Sequence, residues 1–320
     1  SFTDPSYRGQ ILVMTYPLVG NYGVPSSELD AHGIALYRES DRIHPLGIVV
    51  SDYSEEHSHW NAEDSLGHWL RQEHVFGLTG VDTRELAKTL REKGSMRGKI
   101  LLEGAEDIPF EDPNMRNLVA EASPKEVTIY GNGPKKVVLV DCGAKNNIVR
   151  NLIRPEVTLY RVPWDYDFNQ IDFDGLFISN GPGDPQDIPH THETVRKLLG
   201  KVPIFGICMG HQVIGLACGA KTFKLKFGHR GGNHPVLDLR TNKVSITFQN
   251  HGYAIDQNSL KDTDLEETHI ALNDRTNEGV RHKKYPCFSV QYHPEASPGP
   301  EDANYLFDEF INLMRENAVK

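Results

Sequence analysis

The chain has 320 residues, of which 38% are hydrophobic and 24% charged, and its formal net charge is -10. This charge opposes binding to the phosphate backbone of a nucleic acid, and no apolar run reaches the roughly 18 residues that a membrane helix needs. From the charge and the lack of a long apolar run we expect neither a nucleic-acid nor a membrane partner. The length exceeds what one hydrophobic core usually organises, so we expect two domains.

The first part of the chain combines strand and helix patterns without an obvious catalytic motif. Apolar runs at 11–14 and 48–50 predict strands, and amphipathic stretches at 65–73 and 83–93 predict helices. Breaker residues around Gly131 and Pro134 then precede a new apolar run. We therefore predict an α/β domain over residues 1–133 and a second domain over residues 134–320.

The second part alternates between strands and helices. Apolar, β-branched runs predict strands, and the stretches between them predict crossover helices, which indicates a doubly wound sheet with helices on both faces. In such sheets ligands bind in the loops where strands end. The predicted strands are 137–140, 157–162, 176–179 and 202–207, and the predicted helices are 147–153 and 194–199.

One strand leads into a pattern typical of a nucleophile elbow. An apolar run passes through Gly206, Cys208 and Gly210 into a helical stretch at 212–217. Glycines two residues before and after a nucleophile make room for the tight turn that this arrangement requires. A helix N-terminus favours the thiolate that attacks carbonyl carbon, so Cys208 is the candidate nucleophile; the alternative is a buried structural cysteine.

A candidate base and its partner lie near the end of the chain. The alternating run 288–292 predicts a strand that leads into His293, Pro294 and Glu295. In extended backbone, residues two apart project to the same side, so Glu295 is placed to orient the imidazole of His293. Without Cys208 this segment is more simply interpreted as a surface turn.

A glycine-rich loop follows the predicted strand 176–179. Backbone N–H groups in such a loop approach a ligand closely, and those of Gly183 and Met209 are candidates for an oxyanion hole. Taken alone, the loop is more simply interpreted as a turn.

These motifs together resemble the class I, triad-type glutamine amidotransferases. Further segments narrow the resemblance to the small subunit, or fused glutaminase region, of carbamoyl-phosphate synthetases, and it extends over essentially the whole chain. The segments that carry it are 3–7, 17–23, 80–84, 141–146, 180–184, 206–212, 249–253 and 293–295.

The resemblance implies a role for each matching residue. Cys208 is the nucleophile, His293 the base and Glu295 its orienting partner in the hydrolysis of glutamine to glutamate and ammonia. It also implies that the ammonia passes to a synthetase, either a separate subunit or a region fused downstream. The residues implied to bind glutamine are Ser6, Gly181, Gly183, Met209, Gln212, Asn250, Gly252 and Tyr253.

Within the family, the segments 52–54, 59–60, 117–121 and 297–300 are most similar to the animal urea-cycle branch, which is mitochondrial. Some members of that branch have lost the cysteine, whereas this chain keeps Cys208. The resemblance does not decide between a mitochondrial and a cytoplasmic location. It also does not decide whether the product serves arginine, pyrimidine or urea synthesis. It also implies that the first domain lacks an initial segment.

We expect no metal and no cofactor in this chain, because no carboxylate or cysteine cluster completes the histidine pairs at 57–59 and 190–192. No phosphate-binding loop is evident, so ATP and Mg²⁺ are expected in the synthetase partner. Cys142, Cys218 and Cys287 are predicted to be packing residues. Two alternatives stay open: a peptidase-like hydrolase of γ-glutamyl bonds, and a regulatory module without turnover.

Overall fold

The structure is a computed structural model that describes residues 1–167 and 171–317, and the chain divides into two compact units, Ser1–Leu118 and Val119–Lys320. In the first unit, three short strands form a parallel sheet in the order β1-β4-β7, with a parallel pair β2-β5 and an antiparallel pair β3-β6 beside it. Its elements are β1 (Ile11–Val13), β2 (Leu18–Val19), β3 (Val24–Pro25), β4 (Gly47–Val49), β5 (Asp52–Tyr53), β6 (Ala62–Asp64), α1 (Leu66–Gln72), β7 (Phe76–Leu78) and α2 (Thr83–Lys93).

Side-chain caps fix the starts of the two helices in the first unit. Ser65 accepts a hydrogen bond from the N–H of His68, and Asp82 accepts one from the N–H of Glu85. Each oxygen satisfies an N–H group that has no partner inside the helix, which explains why these helices begin close to the predicted positions.

The second unit is built on a ten-stranded sheet in the order β14-β13-β15-β16-β17-β12-β11-β9-β10-β8. The five strands from β17 to β10 are mutually parallel, and the strands outside them pair antiparallel. Its elements are α3 (Leu118–Ala122), β8 (Thr128–Tyr130), β9 (Lys135–Asp141), α4 (Asn146–Leu152), β10 (Val157–Pro163), β11 (Gly175–Ile178), α5 (Pro189–Leu198), β12 (Ile204–Ile207), α6 (Met209–Ala217), β13 (Thr222–Asp238), β14 (Lys243–Ile255), β15 (Leu265–Ala271), β16 (Asn277–His282), β17 (Cys287–Val290) and α7 (Tyr305–Asn317).

The parallel strands β9, β11, β12 and β17 are buried on both faces over most of their length, as the apolar runs predict, whereas β10 is partly exposed. On one face Val138 packs in the same core cluster as Val195 of α5 and Val213 of α6. On the other face Phe177 of β11 stacks on Phe307 of α7, with ring centroids 5.9 Å apart. The predicted doubly wound sheet is therefore confirmed, and its outer strands make it a mixed sheet. Among residues 1–167 and 171–317, no helix is long and apolar enough to cross a membrane.

The long hairpin of β13 and β14 has no counterpart among the predicted elements. β13 is rich in Gly, His and charged residues, and its pairing register with β14 shifts between Lys224 and His229 and again between Gly231 and His234. Each shift interrupts the two-residue alternation from which a strand is predicted.

The division between the two units differs from the boundary predicted after residue 133. The structure divides the chain after Leu118. The reason is β8, which pairs antiparallel with β10, so Tyr130 lies opposite Leu159 within the larger sheet. Breaker residues mark a turn between two strands of one sheet here, and not the end of a domain.

Candidate active site

Cys208 lies in a sharp turn between β12 and α6, with φ 54° and ψ -101°. A positive φ is strained for a residue with a side chain, and it holds the thiol out of the turn. A Cβ on Gly206 would lie 2.6 Å from the carbonyl carbon of Gly210, and one on Gly210 would lie 2.2 Å from the oxygen of Ile178. Both glycines are therefore sterically required, and the geometry is that of the predicted elbow.

The Cys208 thiol is almost enclosed. The residue is 3% exposed, and Sγ lies 3.9 Å from the backbone oxygen of Asn250. The amide N–H of Cys208 donates to the carbonyl of Val290 at 2.9 Å, which ties the elbow to β17. The thiol stands at the N-terminus of α6, as the elbow pattern predicts.

His293 and Glu295 form a buried pair directly after β17. Nδ1 of His293 lies 2.7 Å from Oε1 of Glu295, and both side chains are 0% exposed. Burial disfavours the charged imidazolium, but the charge of Glu295 and the adjacent Cys208 side chain outweigh it and raise the pKa of His293 to about 10. Because Nδ1 is engaged by Glu295, Nε2 is the ring nitrogen that is left for the adjacent Cys208 side chain.

Lys145 joins this group, although the sequence analysis assigned it no role. Its Nζ lies 3.2 Å from Oε1 of Glu295. It also donates to the carbonyl of Ala296 and lies 5.5 Å above the ring of Phe248. Burial raises the pKa of Glu295, but the charges of Lys145 and then His293 overcome this effect and lower it to about 2. Glu295 is therefore held as a carboxylate.

Several of the predicted glutamine-binding residues gather around the elbow. Nε2 of Gln212 donates to the carbonyl of Tyr253 at 2.8 Å, and so fixes α6 to the end of β14. Gly252 and Asn250 precede Tyr253 on the same strand, and the Asn250 carbonyl faces the Cys208 thiol.

The glycine loop after β11 lies beside the same turn. The N–H of Gly210 donates to the carbonyl of Ser179 at 3.0 Å, so the loop that contains Gly181 and Gly183 begins next to the elbow. Met209 opens α6, where an N–H has no acceptor inside the helix. These positions are suited to the predicted oxyanion contacts, whose roles stay predictions.

Ser6 lies in the first unit, where it is buried in a short 3-10 helix. Its N–H donates to Oδ1 of Asp4 at 2.9 Å, and its carbonyl accepts from Nε2 of Gln10 at 3.0 Å. Its predicted contribution to a site in the second unit stays a prediction.

The other three cysteines are free thiols in packed surroundings. Cys142 and Cys287 belong to the core beside the sheet, and Cys218 packs against it from the end of α6. Burial raises the pKa of all three thiols, to about 11 for Cys218. A protonated, enclosed thiol is a poor nucleophile, in agreement with the predicted packing role.

Comparison with known proteins matches both parts of the chain. Residues 138–313 match the class-I glutamine amidotransferase family, and residues 1–100 match the CPSase domain of the carbamoyl-phosphate synthase small chain. A solved structure from Thermoplasma acidophilum, described as a GMP synthase protein, is 25% identical with a TM-score of 0.51, covering 58% of this chain and 96% of that one.

The relatives extend over the whole chain. The arginine-specific small chain of carbamoyl phosphate synthase from Saccharomyces cerevisiae is 47% identical over 100% of this chain and 81% of its own length. The mitochondrial carbamoyl-phosphate synthase (ammonia) of Homo sapiens is also 47% identical over 100% of this chain, which spans only 21% of that protein. The chain belongs to the carbamoyl-phosphate synthase small-chain family and carries the family's class I glutamine amidotransferase domain.

Proposed function

We propose that the chain is the glutaminase component of a carbamoyl-phosphate synthase and hydrolyses L-glutamine to glutamate and ammonia. The observation that carries the proposal is the strained, helix-terminal Cys208, whose side chain interacts with His293 of the buried His293–Glu295 pair. A nucleophile, a base and a group that orients the base are what covalent hydrolysis of an amide requires.

The mechanism is acyl transfer through a thioester. His293 takes the thiol proton, and Sγ of Cys208 attacks the side-chain amide carbon of glutamine. The N–H groups of Met209 and Gly183 stabilise the negative oxygen of the tetrahedral intermediate. Protonated His293 then gives its proton to the departing nitrogen, so ammonia leaves and the thioester remains. Water deprotonated by His293 cleaves the thioester, which releases glutamate and returns the proton to sulfur.

Holding His293 in one orientation is the role of Glu295, which Lys145 keeps ionised. The carboxylate at Nδ1 directs Nε2 towards the sulfur and stabilises the imidazolium that forms after proton transfer, as in other nucleophile–histidine–carboxylate triads.

The partner is a synthetase, as a separate subunit or a region fused downstream, and ATP and Mg²⁺ act there. Free ammonia is mostly protonated near neutral pH and is then no nucleophile, so release must be coupled to its use. The chain alone is therefore expected to hydrolyse glutamine slowly, and saturating synthetase, bicarbonate and ATP to accelerate it. The family includes a protein named as mitochondrial, and a mitochondrial or a cytoplasmic location fits this function.

The test replaces Cys208 by Ser in the complex with the synthetase. Glutamine hydrolysis should disappear while synthesis from added ammonia continues, because a hydroxyl is a far poorer nucleophile in a site built for a thiolate. Cys218→Ser, at the other end of α6, is the matched control and should keep both activities. Glutaminase turnover in Cys208→Ser would remove this residue from the mechanism. If the unchanged protein instead released an amine larger than ammonia from γ-glutamyl substrates, a γ-glutamyl hydrolase would be favoured.

A further inference from the structure

Three buried side chains of the kind that bind metal ions converge within the antiparallel part of the large sheet. They are His229 of β13, His251 of β14 and Glu278 of β16, and His229 and His251 are direct cross-strand partners. One nitrogen or oxygen atom from each lies within 4.8 Å of the others. Oε1 of Glu278 lies 3.4 Å from Nδ1 of His229 and 3.8 Å from Nε2 of His251.

Among the residues that the structure describes, none of these three buried atoms meets hydrogen-bond geometry with a partner, although Nδ1 of His229 and Oε1 of Glu278 lie within ion-pair distance of each other. The side chains of His229, His251 and Glu278 are 8%, 1% and 0% exposed. A buried polar atom without a hydrogen bond destabilises the fold, so three such atoms at one point require an explanation.

The hydrogen bonds on the far side of each histidine fix where its lone pair points. Nε2 of His229 lies 2.8 Å from Oδ2 of Asp274, and Nδ1 of His251 lies 2.7 Å from the carbonyl oxygen of Tyr253. Both of these oxygens accept, so the ring nitrogens facing them carry the protons. Nδ1 of His229 and Nε2 of His251 are then left with lone pairs that point into the cluster.

Glu278 is arranged in the same way. Its Oε2 accepts a hydrogen bond from Nε2 of Gln249 at 2.8 Å, which leaves Oε1 for the cluster. A second proton on His229 would give Oε1 of Glu278 a hydrogen-bond donor. The lone pair on Nε2 of His251 would still face the carboxylate without a donor. A cation at the centre satisfies all three atoms at once.

We propose that His229, His251 and Glu278 bind a divalent transition-metal ion of the zinc class. Two imidazole nitrogens and one carboxylate oxygen suit Zn²⁺, whereas Mg²⁺ and Ca²⁺ prefer oxygen ligands throughout. With Zn²⁺ bonds of about 2.0 to 2.2 Å, tetrahedral ligand atoms are about 3.3 Å apart. The separations of 3.4 and 3.8 Å are therefore close to those of a bound site.

The site differs from the histidine pairs considered in the sequence, because its ligands come from three strands and have no short spacing. Asp274 orients His229 as an outer carboxylate, an arrangement common around metal-bound histidine. His251 also directly follows Asn250, whose carbonyl faces the Cys208 thiol. A bound ion therefore fixes the strand that forms one wall of the candidate active site.

The site is tested by metal binding in the full chain carrying Cys208→Ser, which removes the catalytic thiol as a competing ligand. After treatment with a chelator, Zn²⁺ is titrated against a chromophoric chelator, and Co²⁺ is added separately for its visible spectrum. We expect one equivalent of either ion, a four- or five-coordinate Co²⁺ spectrum, and X-ray absorption that shows nitrogen and oxygen but no sulfur around zinc.

Variants identify the ligands. His251→Gln and Glu278→Gln should weaken binding by at least a hundredfold, and Asp274→Asn by on the order of 10- to 100-fold because it acts through His229. His234→Gln is the matched control, since its ring lies 5.4 Å from His229 but outside the ligand set. Its affinity should be unchanged.

Failure to bind one equivalent, sulfur in the coordination shell, or equal affinity in Glu278→Gln and His234→Gln overturns the site. If a ligand variant fails to fold, Asp274→Asn and the Co²⁺ spectrum of the unsubstituted cluster decide the question. Asp274 suits this purpose because its side chain is 42% exposed.

Discussion

Lys145 and Glu295 form an ion pair in the interior of the second unit, with Nζ 3.2 Å from Oε1 and side chains that are 2% and 0% exposed. The same oxygen accepts a hydrogen bond from Nδ1 of His293. Two buried charges are tolerated only when they are well paired, so Lys145 supplies the charge that lets Glu295 remain ionised beside His293. The candidate triad thus depends on a fourth residue.

The first prediction concerns Glu295→Gln. The amide keeps the shape of the side chain but removes the charge that raises the pKa of His293, so that pKa should fall markedly. The kcat for glutamine hydrolysis should drop by on the order of 10²- to 10⁴-fold with a smaller change in KM, because the loss is felt mainly in the transition state.

Steady-state kinetics as a function of pH and NMR titration of His293 measure both effects. Glu301→Gln, at an exposed position a short distance further along the chain, serves as the control and should behave like the unchanged protein. An unaltered kcat in Glu295→Gln would show that the His293–Glu295 contact is only structural.

The second prediction is that Lys145→Met destabilises the fold. Methionine fills a similar volume but leaves Glu295 with only His293 to balance a buried charge, so the pKa of Glu295 should rise. Breaking a buried pair in this way costs about 3 to 5 kcal/mol. Lys135→Met is the matched control, because Lys135 pairs with Asp174 where both side chains are partly exposed, and its loss should cost at most about 1 kcal/mol.

Urea unfolding of the two variants gives the comparison. Equal losses of unfolding free energy in Lys145→Met and Lys135→Met would mean that the buried pair contributes no more than a surface pair.

The local parts of the site could be predicted from the sequence. The turn around Cys208 is encoded by two glycines between a strand and a helix, and His293 and Glu295 are two residues apart, so neither requires knowledge of a distant contact. Lys145 meets Glu295 across about half the chain, and no periodicity reports such a contact. The cluster of His229, His251 and Glu278 depends on strand pairing with irregular register, which local patterns do not specify.

The third prediction is a pH of maximum stability that is set by the buried pair of His293 and Glu295. The pKa of Glu295 is lowered to about 2 from 4.5, so its contribution is complete above pH 4.5 and is lost as the pH falls towards 2. The pKa of His293 is raised to about 10 from 6.5, so its contribution is complete below pH 6.5 and is lost as the pH rises towards 10. Together the two groups stabilise the fold most between pH 4.5 and 6.5.

Urea midpoints measured from pH 3 to 10 should show this profile in the unchanged protein and a flatter one after both residues are replaced, as in His293→Asn with Glu295→Gln. The difference between the two curves isolates the pair from the other titrating groups. A difference that does not vary with pH contradicts the assignment.

The last prediction tests the steric basis of the elbow with Gly210→Ala. Position 210 lies in the first turn of α6, where alanine alone would favour the helix by about 1 kcal/mol over glycine. The added Cβ would lie 2.2 Å from the backbone oxygen of Ile178, which cannot move without displacing β11. The clash should prevail and destabilise the protein by about 1 to 3 kcal/mol.

The same displacement should disturb catalysis. A shift of about 1 Å at the nucleophile lowers the rate by on the order of a hundredfold, so kcat should fall more than stability alone explains. Gly98→Ala is the control, because a Cβ there would meet only Cδ1 of Ile11, at 3.7 Å. Thermal unfolding and glutaminase kinetics of both variants give the answer. If Gly210→Ala were as stable and active as Gly98→Ala, Cys208 would not need the close approach of α6 to β11 that the elbow imposes.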